Sequence, residues 1–164
     1  MKSKILRLSL TVTMLLCALP AFALNKTGRL GVGFSNQLVN DIPTLSLKIQ
    51  QNRYFAIGGL LGFRSNQDAT LYGAGLRVYR LIFEEQLLNF YMAGTLASLS
   101  YEEDNKAKSG YEVDGTFGTE FHFEGIESIG FSFEFGFSYN RGPNGRSFET
   151  LGNNFLKSAV HFYL

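Results

Sequence analysis

Charged side chains recur in this sequence at positions flanked by apolar ones. Glu134 lies between Phe133 and Phe135, Arg77 between Leu76 and Val78, Lys48 between Leu47 and Ile49, and Glu112 between Tyr111 and Val113. With Arg29, Arg64, Lys157, Asp114 and Glu120 they make five cations against four anions, and His122 and His161 are the only histidines. Carboxylates and imidazoles of this kind could act as general acids, bases or zinc ligands. Each of those chemistries needs partners: zinc takes three or four ligands, and a nucleophile needs a base within hydrogen-bond reach. Two histidines alone do not make a zinc centre, and His122-Phe123-Glu124 has no serine nearby. No catalytic, cofactor-binding or metal residue is therefore assigned, and the chain is read as non-enzymatic. The alternative use of charges flanked by apolar residues is mutual: opposite charges in a low-dielectric interior must pair. The eleven residues are read as one structural charge network, with Glu134 directed toward Arg77 or Lys157.

The elements that would position such a network follow from spacing. In GFSFEFGFSYN, residues 130–140, Phe131, Phe133, Phe135 and Phe137 alternate with Ser132, Glu134, Gly136 and Ser138. Side chains two apart share one face of a strand, so this segment has an apolar face and a small or polar one. Similar alternation predicts eight strands, at about 27–37, 43–50, 54–64, 70–80, 87–101, 110–123, 130–140 and 155–164. In the sixth, Phe117 and Phe121 oppose Asp114, Glu120 and His122; in the eighth, Val160, Phe162 and Leu164 oppose Lys157 and His161. The fifth allows two registers, because Leu88, Phe90, Met92 and Leu96 are scarcely more apolar than Tyr91, Ala93, Ala97 and Leu99.

Residues 1–23 form a separate unit. Lys2, Lys4 and Arg7 precede an apolar run from Leu8 to Leu19, then Pro20 and the small-x-small ending Ala21-Phe22-Ala23. This pattern predicts a secretory signal peptide cleaved after Ala23, since a mostly apolar run of twelve residues is too short for a span that needs about 20. Residues 24–164 are then one domain. Cleavage removes Cys17, the sole cysteine, and three of fifteen Lys and Arg but no acidic residue, leaving a net charge of −2. Such a balance argues against nucleic acid as a partner. With no cysteine remaining, an exported fold must rest on sheet and packing.

An even number of antiparallel strands puts both chain ends on one side, and about 10 tilted residues cross a hydrocarbon layer of about 25 Å. Connections 51–53, 81–86 and 124–128 read as compact, and 36–42, 102–109 and 140–154 as longer and polar, with 65–69 between. Aromatic residues fall toward both strand ends, Tyr54, Phe55, Phe83, Phe90, Phe123 and Phe162 on one side and Phe63, Tyr72, Tyr101, Tyr111 and Tyr139 on the other. The expected fold is an all-β, eight-stranded antiparallel up-and-down transmembrane barrel. Phe117, Phe121, Phe131, Phe133, Phe135, Phe137, Val160, Phe162 and Leu164 would face lipid, and the charges would fill the interior. Glycine runs such as GRLGVG and GAGLR precede no predicted helix and so are not phosphate loops.

With that architecture, and with the ending KSAVHFYL, the chain from about Thr27 to Leu164 resembles small eight-stranded outer-membrane proteins of the OmpA, OmpX and opacity-protein type. The resemblance implies the cell outer membrane of a Gram-negative envelope as location. It also implies contact with outer-membrane lipid and lipopolysaccharide, and recognition of the C-terminal strand by the barrel-insertion machinery. Leu164 stands where that family usually ends in phenylalanine. The implied role is structural or interactive at the cell surface, with Arg141 and Arg146 in the segment NRGPNGRS as candidate contacts; the sequence specifies no ligand for them. A narrow pore or small-ligand-binding barrel, a lipid-modifying outer-membrane enzyme and a soluble lipocalin-like or sandwich fold are the competing readings.

Overall fold

A sheet with one apolar and one polar face leaves its edge strands unpaired unless it closes on itself, and here it closes. The computed structural model describes residues 26–38, 42–66, 69–103, 106–142, 145–151 and 156–164. The expected leader, residues 1–23, lies outside the described residues. Among the described residues the chain is all-β, with strands β1 (Leu30–Ser35), β2 (Thr44–Asn52), β3 (Phe55–Ser65), β4 (Ala69–Glu84), β5 (Leu88–Glu103), β6 (Lys106–Phe121), β7 (Ile129–Gly142), β8 (Gly145–Glu149) and β9 (Lys157–Tyr163).

Each strand pairs antiparallel with its sequence neighbour as far as β7, and β9 lies between β7 and β1, completing an eight-stranded barrel. The seam is set by Gly31 opposite Tyr163 and Glu134 opposite Lys157. Nine segments make eight staves because β8 and β9 share one. Both run alongside β7, β8 opposite residues 138–142 and β9 opposite residues 129–134. The chain leaves the ladder between them, through a buried Leu151 at φ 51°.

Three connections hold more strand than the sequence reading gave them. Segment 102–109 is mostly ladder, since Glu102 pairs with Ala107 and Tyr101 with Lys108. Segment 140–154 contains a hairpin, with Arg141 opposite Arg146 and Gly142 opposite Gly145. Tandem polar residues read as loop, yet inter-strand hydrogen bonding extends wherever two neighbouring strands are both long enough, whatever their polarity. β4 likewise runs to Glu84, past a register shift between Leu81 and Phe83. Lys26, Leu164 and the turns at 53–54, 85–87 and 122–128 lie at one end of the barrel, the terminal end, opposite the loop end.

The barrel faces inside out relative to a water-soluble one. Along β2, Thr44, Ser46, Lys48 and Gln50 are buried while Leu45, Leu47 and Ile49 are exposed. β5 takes the first of its two registers: Leu96 is 61% exposed and Tyr91 only 1%. The Tyr91 hydroxyl decides this, because it needs a hydrogen-bond partner and finds one only inside. Outside, the aromatic residues pair across strands, with Phe121 stacked on Phe131 at 5.7 Å and Phe117 on Phe135 at 6.1 Å.

Candidate functional site

An eight-stranded barrel is just wide enough for its interior to be filled by side chains. This lumen is filled in three polar tiers and one apolar cap. Alternation delivers the residues: every second position of each strand points inward, so one strand can contribute to more than one tier.

In the central tier Arg77 of β4 reaches Glu134 of β7, both fully buried. Arg77 also donates to Thr95 Oγ1 and Thr116 Oγ1, each at 3.0 Å. Glu134 accepts from Tyr91 Oη at 2.7 Å, Gln37 Nε2 at 2.8 Å and Thr116 Oγ1 at 3.1 Å. Four donors around one carboxylate compensate the loss of water that its burial imposes. Gly118 makes the crossing possible, because a Cβ there would lie 2.7 Å from both the Tyr91 ring and the Glu134 side chain.

At the terminal end Glu120 is the hub. It accepts from Lys26 at 3.0 Å, from Lys48 at 3.1 Å and from the Tyr163 hydroxyl. The Lys48 ammonium also stands 4.7 Å from the Tyr79 ring centroid and 5.2 Å from that of Tyr91. Lys26 precedes β1, and a turn with Gly28 at φ 80° folds it under the barrel mouth. There its ammonium donates to Nε2 of His122, which lies in the connection after β6. Burial, then the neighbouring Lys26 charge, push the His122 pKa below 6.5, against the raising influence of Glu120. Burial also lowers that of Lys26, with Glu120 opposing. His161 hydrogen-bonds Ser46 Oγ through Nε2 at 2.8 Å. Both histidine rings rest near Tyr163, at 5.9 and 6.2 Å between centroids.

Toward the loop end Lys157 of β9 meets Asp114 at 3.0 Å and Glu112 at 3.3 Å, and donates to the Gln37 carbonyl at 2.7 Å. Above this tier the chain after β1 folds inward. Leu38 and Ile42 are buried, Leu38 in one cluster with Leu60 and Ala97. Gly62 and Gly73 form the notch that receives Leu38, whose Cδ1 would sit 3.0 and 2.7 Å from Cβ atoms placed there. A segment read from sequence as a longer, polar connection is, in its described part, a plug.

The structure therefore brings Lys48, Arg77, Glu112, Asp114, Glu120, His122, Glu134, Lys157 and His161 together in the lumen. Arg29 and Arg64 sit apart at opposite rims, half-buried, Arg29 ahead of β1 rather than within it. Phe117, Phe133, Phe135, Phe137, Phe162 and Leu164 are exposed on the outer wall, and Phe121, Phe131 and Val160 are partly covered there by neighbours. Arg141 and Arg146 are exposed on a strand pair instead of a loop, as direct partners.

Sequence reasoning did not single out Lys26, Gln37, Ser46, Tyr79, Tyr91 or Tyr163. Ser46, Tyr79 and Tyr163 lie on the inward parity of their strands, which period two gives; Tyr91 falls in the strand whose two registers period two leaves open, and Lys26 and Gln37 lie outside strands and follow no period. Ser46 with His161 is the arrangement nearest to a nucleophile and its base, but both side chains are buried in the packed lumen. Among the described residues no group of three or more His, Cys, Asp or Glu side chains is placed to hold a metal ion. Compared with models of known protein families, with curated proteins and with solved structures, the chain matches none of them.

Proposed function

We propose that the chain is a small outer-membrane β-barrel, exported through its leader, with a structural or cell-surface interaction role and no catalytic one. One observation carries this reading: the barrel is inverted, with Arg77, Lys48, Glu112, Glu120 and Glu134 buried inside and Phe34, Leu76, Leu96, Phe137 and Phe162 exposed around the outside. Apolar surface costs about 25 cal/mol per Å² in water, and soluble monomers rarely expose contiguous apolar patches above a few hundred Å². Hydrocarbon removes that cost, and a closed ladder satisfies every strand without an edge.

The filled lumen favours the structural role over a pore, because the Arg77–Glu134 tier crosses the middle and Leu38 fills the loop end. It also favours a non-enzymatic role, since the ionisable groups of the lumen are engaged with one another and Ser46 is enclosed. For surface interaction the β7–β8 hairpin is the candidate, presenting Arg141 and Arg146 to anionic groups such as lipopolysaccharide phosphates. β9, with Val160, Phe162 and Leu164 directed outward, is the segment for the insertion machinery to read; it closes the barrel on both of its edges.

The test is gel migration of the mature chain, refolded in detergent, with and without boiling. A shift, accompanied by β-rich circular dichroism, is expected. A chain soluble without detergent and showing no shift would overturn the membrane reading.

A further inference from the structure

On the outward face of β5 and β6, Gly94 and Gly115 are direct ladder partners, so two adjacent side chains are missing from the wall. Their outer neighbours keep theirs: Val78 opposite Gly94, and Phe137 opposite Gly115. The result is an apolar trough of about 440 Å³, which Met92 also lines. A Cβ on Gly115 would meet nothing within 4 Å, and one on Gly94 only ordinary contacts, so close packing of the barrel does not explain either glycine.

A cation belongs to the same trough. Arg80 lines it and is exposed, opposite Phe55 where β3 leaves the turn at the terminal end. Its guanidinium stands 5.7 Å from the Tyr54 ring centroid. Neighbouring Arg53 is held by Glu84 at 2.8 Å, whereas among the described residues no carboxylate pairs with Arg80. An apolar furrow with an arginine at its polar end matches one class of molecule. An acyl chain fills the furrow, and a phosphate takes the planar, two-pronged donor set of the guanidinium.

We propose that this trough binds an anionic glycerophospholipid, with one acyl chain over Gly94 and Gly115 and the headgroup phosphate on Arg80 beside Tyr54. This rests on the membrane reading above, and the position of Arg80 near the terminal end assigns the lipid to the leaflet on the side of Lys26 and Leu164. Volume agrees, since pockets for small ligands span about 300–1,000 Å³.

Native mass spectrometry of the detergent-folded protein with equal amounts of phosphatidylglycerol and phosphatidylcholine tests the site. The parent should retain one lipid with a preference for the anionic one. Arg80→Gln should abolish that preference, and Gly115→Leu should weaken retention by about tenfold by filling the trough; Gly94→Leu substitutes if Gly115→Leu does not refold. Heat-modifiable migration of each variant shows that the barrel is intact. Equal retention of both lipids by the parent, or either variant behaving as the parent does, overturns the site while leaving the membrane barrel standing. A dimer that Gly115→Leu dissociates, without lipid preference, would likewise overturn it by making the trough a seat for a second copy. Failure of the membrane reading itself is separate and would show as solubility without detergent.

Discussion

Arg77 and Glu134 meet in the middle of the barrel, 57 residues apart in sequence and on strands separated by two others, with neither side chain exposed to solvent. This contact joins opposite sides of the wall, so it rewards closure of the barrel rather than any single hairpin. Thr95 and Thr116 hydrogen-bond Arg77, while Tyr91 connects the pair to Lys48 and Gln37 connects it to Lys157.

Truncating one partner should be costly. Glu134→Ala leaves a buried guanidinium without its carboxylate and is expected to destabilise by about 3–5 kcal/mol. Urea unfolding in detergent micelles measures it. Arg77→Met combined with Glu134→Leu should be much less damaging than the sum of the two single changes; additive losses would mean that the pair is not coupled.

Overfilling the plug notch gives a second prediction. Gly73→Val places atoms where Leu38 packs and should cost about 1–3 kcal/mol. Adding Leu38→Ala should recover part of that loss. If the double variant is less stable than Gly73→Val alone, residues 36–38 do not occupy the notch in solution.

The terminal-end cluster predicts a pH dependence. His122 faces Lys26 from the N-terminal turn, Glu120 from β6 and Tyr163 from β9, and its pKa in the folded protein lies below 6.5. The unfolded chain therefore binds the proton first, so stability is full above about 6.5 and falls as pH drops below it toward the folded value. Protonation also removes the acceptor that Lys26 uses. Urea midpoints should hold between about pH 8 and about pH 6.5 and decline below that, and His122→Asn should flatten the decline. An unchanged slope in the variant would assign the effect to other groups.

Phe133 lies near the middle of the outward face of β7. Phe133→Arg should impair insertion into lipid vesicles by about 2–4 kcal/mol, whereas the same protein in water would gain solubility. Normal vesicle insertion of this variant would contradict a lipid-facing wall.

Arg141 and Arg146 are like charges placed directly opposite each other on the β7–β8 hairpin. Arg146→Glu should stabilise the hairpin by about 0.2–1 kcal/mol, read from hydrogen exchange of residues 138–149 at low salt. An added polyanion should protect the parent hairpin and not the variant.

Period-two alternation was enough to place strands and assign faces, because in a closed sheet the side on which a residue points depends only on its parity and on one choice of which parity is inside. That choice is local where charge marks it, as at Lys48 or Glu134. In β5 it was open, since Tyr91 and Met92 are both apolar enough for either side; only the position of Glu134 across the barrel makes the Tyr91 hydroxyl belong inside. Strand ends at 102–109 and within 140–154 were illegible for a related reason. Ladder length depends on a partner strand of equal reach, and polar residues at a rim pair as readily as apolar ones.

Local pattern alone establishes which residues share a face, that the domain is all-β, and that its charges nearly balance. Tertiary structure decided which cation meets which carboxylate, that Lys26 closes one end and Leu38 plugs the other, and that Gly94, Gly115 and Arg80 lie along one trough. The physical reason is range: alternation is a property of neighbours along the chain, whereas these pairings arise from register and closure, which exist only when all eight staves are in place.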